Sequence, residues 1–261
     1  MTQTASAPNS HVRAIAAVVF TLAQILAPLL PSIGIGNPVG EQSADTQTLI
    51  TPAGWAFAIW GPLYFGTLVY AVYQLLPSYR DSELVRRIGW HFAFAVLGNA
   101  LWVTYTQLWS LGFPSVLIIV FTLVNLLAIL RIFVATPAFS LAERLAVVLP
   151  LSALAGWLTA ATIVNIAAAL NFHGIVLPAS APLISAAILI VGGVIVAAAL
   201  VGTCGNPWYP LPFLWALFAI HEKAGRTDPD IATATIVAGL LVIATLSVTL
   251  ASAERRKRYL G

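Results

Sequence analysis

The feature that most constrains this chain is a succession of apolar runs that carry almost no charged side chains. A run of about 20 residues spans the roughly 30 Å hydrocarbon core of a bilayer as a helix, at 1.5 Å per residue. Charged residues make up 8% of the chain, against about 25% in a typical soluble domain. A sizeable water-soluble domain is therefore excluded, and the sequence predicts an all-α, polytopic helical membrane protein.

Hydropathy and the positions of Pro and Gly predict eight spans. They are Arg13–Pro31, Pro52–Leu76, Arg87–Trp109, Phe113–Val134, Leu145–Leu170, Pro182–Gly202, Pro210–His221 and Ile231–Ser252. In the second span, Thr51 is the expected helix cap and Pro52 suits the first turn. The seventh span is short, and by itself it would also fit an interfacial or re-entrant segment.

The positions of Lys and Arg predict the orientation. The loop Ile33–Thr51 has no basic residue, whereas Arg80, Arg86 and Arg87 follow the second span and a basic cluster, Arg255–Arg258, lies near the C-terminus. Basic residues favour the cytoplasmic side, so we expect both termini in the cytoplasm and the loop outside. Both termini on one side require an even number of crossings, which favours counting the seventh span. We expect a multi-pass protein of the bacterial cell membrane, with its first helix retained and not cleaved as a signal peptide.

Three predicted spans carry aromatic and polar side chains on one face, at spacings of three or four residues. The stripes are Phe57, Trp60, Tyr64 and Thr67 in span two; Asn99, Trp102, Thr106 and Trp109 in span three; and Trp157, Ala161 and Asn165 in span five. Trp55 suits the membrane interface. The stripes fit either helix packing, with each Asn bonded to a neighbouring backbone, or the wall of a pocket for a flat, apolar ligand. The joint pattern favours the pocket.

The sequence lacks the residues that several classes of function need. No Asp, Glu or Lys lies within a predicted span, although a proton relay or ion-coupled carrier usually has an ionisable group there. The single cysteine, Cys204, excludes an internal disulfide. The histidines have no partners at metal-ligand spacing, and no nucleophile or phosphate-loop motif is present. We therefore predict no catalytic residue, no metal site, no resident cofactor and no enzymatic activity. The net charge of +3 comes largely from the terminal basic cluster, so no nucleic-acid partner is expected.

Three short motifs in the predicted spans resemble the signatures of the TspO/MBR family, the translocator proteins or tryptophan-rich sensory proteins. They are Trp60-Gly-Pro-Leu-Tyr64, Asn99-Ala-Leu-Trp102 and Trp157-Leu-Thr-Ala-Ala-Thr-Ile-Val-Asn165. The resemblance covers about residues 13–170 and implies a five-helix bundle whose pocket, covered by the first loop, binds porphyrins, sterols and synthetic ligands. By similarity, the residues that line or support the pocket are Trp60, Tyr64, Asn99, Trp102, Trp157, Ala161, Thr162 and Asn165. Trp55 and Trp109 are added as candidates from their positions.

The chain also departs from the family's pattern. The usual Lys-Pro-x-Trp-x-Pro-Pro run of the first loop is replaced by Thr51-Pro-Ala-Gly-Trp55, and Pro150-Leu151 stands for the Pro-Tyr before the span-five tryptophan. The five-helix members also have no counterpart of the last three predicted spans. We therefore divide the chain into a TspO-like bundle, residues 1–170, and a transmembrane extension with a basic tail, residues 171–261.

We expect a ligand-binding sensor or translocator for a tetrapyrrole-like or sterol-like compound. The alternative is a small-molecule transporter that uses the same pocket as its substrate site, which the Pro-rich segment Pro207–Pro212 favours. The expected partners are membrane lipids and the hydrophobic ligand, with a homodimer left open.

Overall fold

The structure is a computed structural model that describes residues 8–175 and 181–261, and within these residues the regular structure is entirely helical. The α-helices are α1 (Pro8–Leu26), α2 (Val39–Asp45), α3 (Trp60–Tyr73), α4 (Glu83–Trp109), α5 (Phe113–Val134), α6 (Leu141–Glu143), α7 (Leu149–Phe172), α8 (Ala181–Gly202), α9 (Pro210–Ile220), α10 (Pro229–Leu250) and α11 (Ala253–Tyr259). Several continue into tighter or wider turns: 3₁₀ turns at Ala27–Ile33 and Gly54–Ile59, and π turns at Arg144–Val148 and His221–Gly225. The predicted all-α class is confirmed.

Five long helices form a closed ring. Helix α1 packs on α3 and α4, α4 packs on α5, α5 packs on α7, and α7 returns to α3. Small residues allow two of these approaches, because a Cβ at Gly98 of α4 would overlap Thr122 of α5 and one at Gly66 of α3 would overlap Pro150 of α7. Close backbone approach through small residues is the usual way in which membrane helices associate.

The second predicted span begins differently from the sequence expectation. Its first helical turn is the 3₁₀ turn that begins at Gly54, and the residue before that turn, Ala53, makes no side-chain cap. The Thr51 hydroxyl instead accepts a hydrogen bond from the Thr48 backbone N–H at 2.8 Å. The Ala53 N–H donates to the Ala219 carbonyl of α9 at 3.3 Å. The prediction that Thr51 caps this helix was wrong, because the chain is fixed here by a contact with the distant helix α9.

The C-terminal helices attach to the ring along α7. Helices α8 and α10 pack against each other, and α9 lies between α7 and α10. Helix α9 also contacts the 3₁₀ turn Gly54–Ile59 that leads into α3. The C-terminal helices thus cover the part of the ring where α3 meets α7.

Contacts across the molecule place the first half of α1 and the C-terminal helix α11 at one end. The Arg13 guanidinium donates to the Arg80 carbonyl, just before α4, and the Arg258 guanidinium donates to the Val134 carbonyl, at the end of α5, both at 3.4 Å. Helices α4 and α5 run antiparallel, so the start of one and the end of the other lie together. We call this the tail end, and the opposite end, which holds residues 34–53, the loop end.

Helix α9 runs from the interior of the molecule to the loop end. Its N-terminal neighbour Tyr209 donates to or accepts from Thr159 of α7 at 2.9 Å, and Asn206 donates to Ser152 of α7 at 2.7 Å. Both Tyr209 and Asn206 are fully buried. The non-helical link between α8 and α9 therefore lies inside the protein at membrane depth, where its polar groups find protein partners, as such segments must.

Within the described residues, six helical segments are long and apolar enough to cross a membrane. They are His11–Ile33, Gly54–Tyr73, Phe113–Val134, Leu141–Phe172, Ala181–Gly202 and Pro229–Leu250. Two of the eight predicted spans, α4 and α9, are not among them. Helix α4 has 27 residues, but several of its buried side chains are polar, which lowers its mean hydropathy. Helix α9 has only 11 residues because it begins inside the protein.

Candidate ligand-binding site

Three tryptophans from three helices of the ring meet in its loop-end half. The ring centroid of Trp60 lies 6.2 Å from that of Trp102 and 5.8 Å from that of Trp157. The Tyr64 ring contacts Trp60 in a tilted arrangement, with centroids 5.2 Å apart, and Phe57 meets Trp157 edge to face at 6.5 Å. These distances lie in the range of favourable aromatic pairs. The structure thus brings together aromatic residues that the sequence placed on separate helices.

The side-chain amide of Asn165 in α7 forms hydrogen bonds with side chains of α4 and α5, one of which is the Trp102 indole. The Trp102 Nε1–H donates to Asn165 Oδ1 at 2.7 Å, and the Asn165 amide N–H donates to Ser115 Oγ at 2.8 Å. Asn165 is 2% exposed and Ser115 is fully buried. One side chain of α7 therefore links α4 to α5 and orients the Trp102 ring.

A second set of hydrogen-bonded polar side chains lies on the other side of the ring of helices. The Gln24 amide of α1 donates to Thr67 of α3 at 2.5 Å, and its oxygen accepts from Asn99 of α4 at 3.2 Å. The Asn99 amide also points toward the Tyr64 hydroxyl, at 3.5 Å. This group connects α1, α3 and α4 beneath the tryptophans, and it orients Tyr64.

A small cavity lies beside the tryptophans. It is lined by Val39, Ser43, Pro52, Phe57, Trp102, Leu111, Trp157, Ala160, Ala161, Val164, Asn165 and Ala216. Its volume of about 40 Å³ holds water molecules, whereas pockets for drug-sized ligands are typically about 300–1,000 Å³. The Trp157 Nε1–H is buried and has no hydrogen-bond acceptor among the described residues. The cavity walls are thus largely apolar, and one wall residue, Trp157, has a buried donor without an acceptor.

The first loop closes the cavity at the loop end. Its short helix α2 supplies Val39 and Ser43 to the wall. The loop is attached to the end of α4 by two bonds to the Gln107 carbonyl, one from the Asn37 N–H at 2.9 Å and one from the Gln42 amide at 3.3 Å. We call residues 34–50 the lid.

The predicted site residues fall into three groups. Trp102, Trp157, Ala161 and Asn165 line the cavity, and Trp60, Tyr64 and Asn99 support it through the contacts above. Thr162 is buried, but its hydroxyl donates back to the Leu158 carbonyl of its own helix at 2.7 Å. Trp55 and Trp109 do not line the cavity: Trp55 is 46% exposed against Trp215 and Phe218, and Trp109 is 61% exposed beside Tyr105.

Sequence reasoning missed several contributors to the site, among them Ala216, Gln24 and Ser115. Ala216 of α9 lines the cavity, although the bundle was expected to end at residue 170. Gln24 and Ser115 complete the two hydrogen-bond groups. The sequence did contain a signal for Gln24, because an amide side chain within an apolar run of a membrane helix indicates a polar contact. Nothing in the sequence distinguishes Ala216 from the other small residues of the extension.

The all-α membrane fold agrees with the family comparison. The sequence model of a family described as "TSPO-like protein" matches residues 10–248, which is most of the chain. This chain belongs to the TSPO-like protein family. The comparisons with curated proteins and with solved structures give no match.

The family match extends through α8, α9 and most of α10 in this TSPO-like protein. The C-terminal helices thus fall within the matched region, and one of them reaches the cavity. Whether residues 1–170 and 171–261 act as separate domains stays a prediction. Among residues 8–175 and 181–261, no three His, Cys, Asp or Glu side chains lie close enough together to hold a metal ion.

Proposed function

We propose that this TSPO-like membrane protein is a non-catalytic ligand-binding sensor or translocator for a flat, hydrophobic compound of the tetrapyrrole or sterol class. The observation that carries the proposal is the convergence of three tryptophans beside a cavity, with the ring centroid of Trp60 6.2 Å from that of Trp102 and 5.8 Å from that of Trp157. Flat aromatic walls favour a flat ligand because stacking and burial of apolar area need no charge.

The polar atoms at the cavity agree with this class of ligand. The unused Trp157 Nε1–H is a hydrogen-bond donor in an apolar wall, and it would pair with a single oxygen or nitrogen acceptor on the ligand. A buried donor without a partner is costly, so a ligand that supplies the acceptor gains from filling it. Sterol hydroxyls and tetrapyrrole carboxylates both contain such acceptors.

In this proposal the structure represents the form of the protein in which the lid closes the tryptophan cavity. A cavity of about 40 Å³ does not admit a tetrapyrrole, so binding requires that the lid move away from the Gln107 carbonyl. Its attachment there consists of two hydrogen bonds, each worth about 0.5–1.5 kcal/mol net. A third hydrogen bond, from the Asn171 amide to the Gln47 carbonyl, and the buried side chain of Ile50 also hold the lid. The contacts of the ligand with the three tryptophans would have to offset the loss of these interactions.

Transport through the same site is the second candidate function, and the buried link between α8 and α9 favours it. Non-helical segments at membrane depth often mark translocation paths. The link carries Asn206 and Tyr209, both fully buried and hydrogen-bonded to α7.

Flux and binding separate the two functions. The full chain would be reconstituted into sealed vesicles, and both saturable binding and net movement of a porphyrin would be measured. Saturable binding without protein-dependent flux is the result expected for a sensor, whereas saturable flux would establish a carrier. A native mass spectrum of the purified protein would identify any ligand retained from the cell. Absence of both binding and flux for porphyrins and sterols would overturn the proposed ligand class.

A further inference from the structure

A second and larger cavity lies outside the ring of five helices. It is an open cleft of about 810 Å³ between α7 and α8 at the loop end, closed above by residues 47–50 of the lid and at one side by the π turn after α9. Most of its walls are aliphatic, including Ile163, Ile166 and Leu170 of α7 and Ile184 and Ile188 of α8. We call it the α7–α8 cleft. Unlike the tryptophan cavity, it is large enough for a drug-sized ligand.

One charge faces this cleft. Lys223, in the π turn His221–Gly225, is the single ionisable residue among the described lining residues. The neighbouring Glu222 forms an ion pair with Arg226, and Lys223 takes part in none of the ion pairs within the described part of the chain. Desolvation by burial lowers the pKa of Lys223. The cleft therefore combines an apolar interior with one cation that has no carboxylate partner in the described residues.

The apolar wall of the cleft also borders a second, separate cavity. A smaller cavity of about 20 Å³ between α7, α8 and α9 shares Ile50, Ile163 and Ile188 with the cleft. It is lined by aliphatic and aromatic side chains and by Gly192. The cleft itself has a polar rim with Lys223 at the loop end and an aliphatic wall formed by α7 and α8.

We propose that the α7–α8 cleft binds a single-chain amphiphile with a carboxylate head, such as a long-chain fatty acid. The carboxylate pairs with the Lys223 ammonium, and side-chain oxygen and nitrogen atoms of Thr48, Asn171 and Thr227 at the rim keep the head hydrated or hydrogen-bonded. The alkyl chain lies along Ile163 and Ile188, where burial of its methylene groups drives binding. This site is separate from the tryptophan cavity and does not depend on the function proposed for it.

Photoaffinity labelling tests this proposal on the full chain in phosphatidylcholine nanodiscs. The probe is a palmitic acid analogue with a diazirine on its alkyl chain, and unlabelled palmitate and methyl palmitate are the competitors. We expect the labelled peptides to map to α7 and α8. Palmitate should compete, whereas methyl palmitate, which lacks the charge, should compete about tenfold less well.

The chain offers a matched control, because it has two lysines, Lys223 and Lys257. Lys257 is exposed in α11 at the tail end. Lys223→Met should weaken palmitate competition about tenfold, Lys223→Arg should retain it, and Lys257→Met should leave it unchanged. Trp102→Phe should also leave it unchanged, which separates this test from that of the tryptophan cavity.

Three outcomes would overturn the proposal. One is equal competition by palmitate and its methyl ester. The second is competition by palmitate in the Lys223→Met variant that is as strong as in the unchanged protein. The third is labelling spread over all lipid-facing helices, which would mean that the probe reports the surrounding bilayer and not a site.

Discussion

At the scale of single residues, Asn165 has the largest structural role in the candidate site. Its carboxamide accepts from the Trp102 indole and donates to Ser115, so it joins three helices and sets the plane of one wall. Because all of these atoms are buried, removal of the amide leaves the indole N–H without a partner. Such an unpaired buried donor costs about 1–3 kcal/mol.

We therefore expect Asn165→Ala to lower the stability of the protein by about 1–3 kcal/mol and to lower its melting temperature in detergent. The control is Asn171→Ala on the same helix, since Asn171 is exposed and makes one hydrogen bond to the Gln47 carbonyl at 3.2 Å. Its loss should change stability by less than about 0.5 kcal/mol. Equal melting temperatures for the two variants would show that the Asn165 bonds do not stabilise the fold.

The residue scale also shows how far the sequence predicts the site. Trp102, Trp157 and Asn165 line the cavity as expected, because helical periodicity alone determines which residues share a face. Trp55 and Trp109 lie away from the cavity for different reasons. Trp55 packs on Trp215 of α9, a contact that no local pattern encodes. Trp109 is the last residue of α4, beyond the helices that would cover it.

At the scale of elements, α7 is the helix that joins the two parts of the molecule. It packs on α5 and α3 within the ring, and on α9 and α8 outside it. The contact with α9 is unusually close at Gly156, where an added Cβ would overlap the Tyr209 carbonyl oxygen. The absence of a side chain at Gly156 therefore allows the buried link before α9 to lie against α7.

We expect Gly156→Ala to separate this link from α7 and to destabilise the protein by about 1–3 kcal/mol, the usual cost of overpacking. The matched control is Gly239→Ala in the interior of α10, where an added Cβ meets nothing within 4 Å. That change should be neutral or stabilising by up to about 1 kcal/mol, since Ala favours helix more than Gly does. Thermal unfolding monitored by tryptophan fluorescence measures both. A destabilisation no larger at Gly156 than at Gly239 would contradict the close contact.

Element boundaries followed from sequence where local signals determine them. Helix α5 begins and ends at the predicted residues, Phe113 and Val134, because Gly112 and Pro114 define its start. Helix α4 begins four residues earlier than predicted, at Glu83, because Ser82 caps it by accepting from the Val85 N–H at 3.2 Å. The start of the second span depends on α9, and its boundary could not be found from local patterns.

At the scale of the whole molecule, the first half of α1 and the C-terminal helix α11 both lie at the tail end. Tyr259 of α11 is buried, and its hydroxyl donates to the Thr203 carbonyl at 2.7 Å, so the basic C-terminal helix is docked across the turn after α8. With the lid at the opposite end, the structure agrees with termini on one side of the membrane. The positive-inside rule predicts that this side is the cytoplasm.

Cysteine labelling in intact cells tests that orientation. The lid residue Asp45 is exposed, so Asp45→Cys in a Cys204→Ser background should react with a membrane-impermeant maleimide. Glu254→Cys in the same background, at the tail end, should react only after the cells are permeabilised. The reverse pattern would place the termini outside and would contradict the orientation predicted from charge.

The central claim is that three tryptophans surround a ligand, and the most direct test measures affinity and stability together. Trp60→Phe, Trp102→Phe and Trp157→Phe each keep an aromatic ring but reduce the stacking area. Saturable quenching of tryptophan fluorescence by a porphyrin gives the affinity, and thermal unfolding gives the stability. The control is Trp90→Phe, since Trp90 is 39% exposed on α4 and stacks on Phe94 away from the cavity.

The account predicts that each of the three variants weakens porphyrin binding by about 0.5–1.5 kcal/mol, or roughly two- to thirteenfold. Trp90→Phe should bind as the unchanged protein does, and stability should change less than affinity in the three site variants. Lower stability with unchanged affinity in all three would show that these tryptophans only pack the helices together, and it would contradict the proposed ligand site.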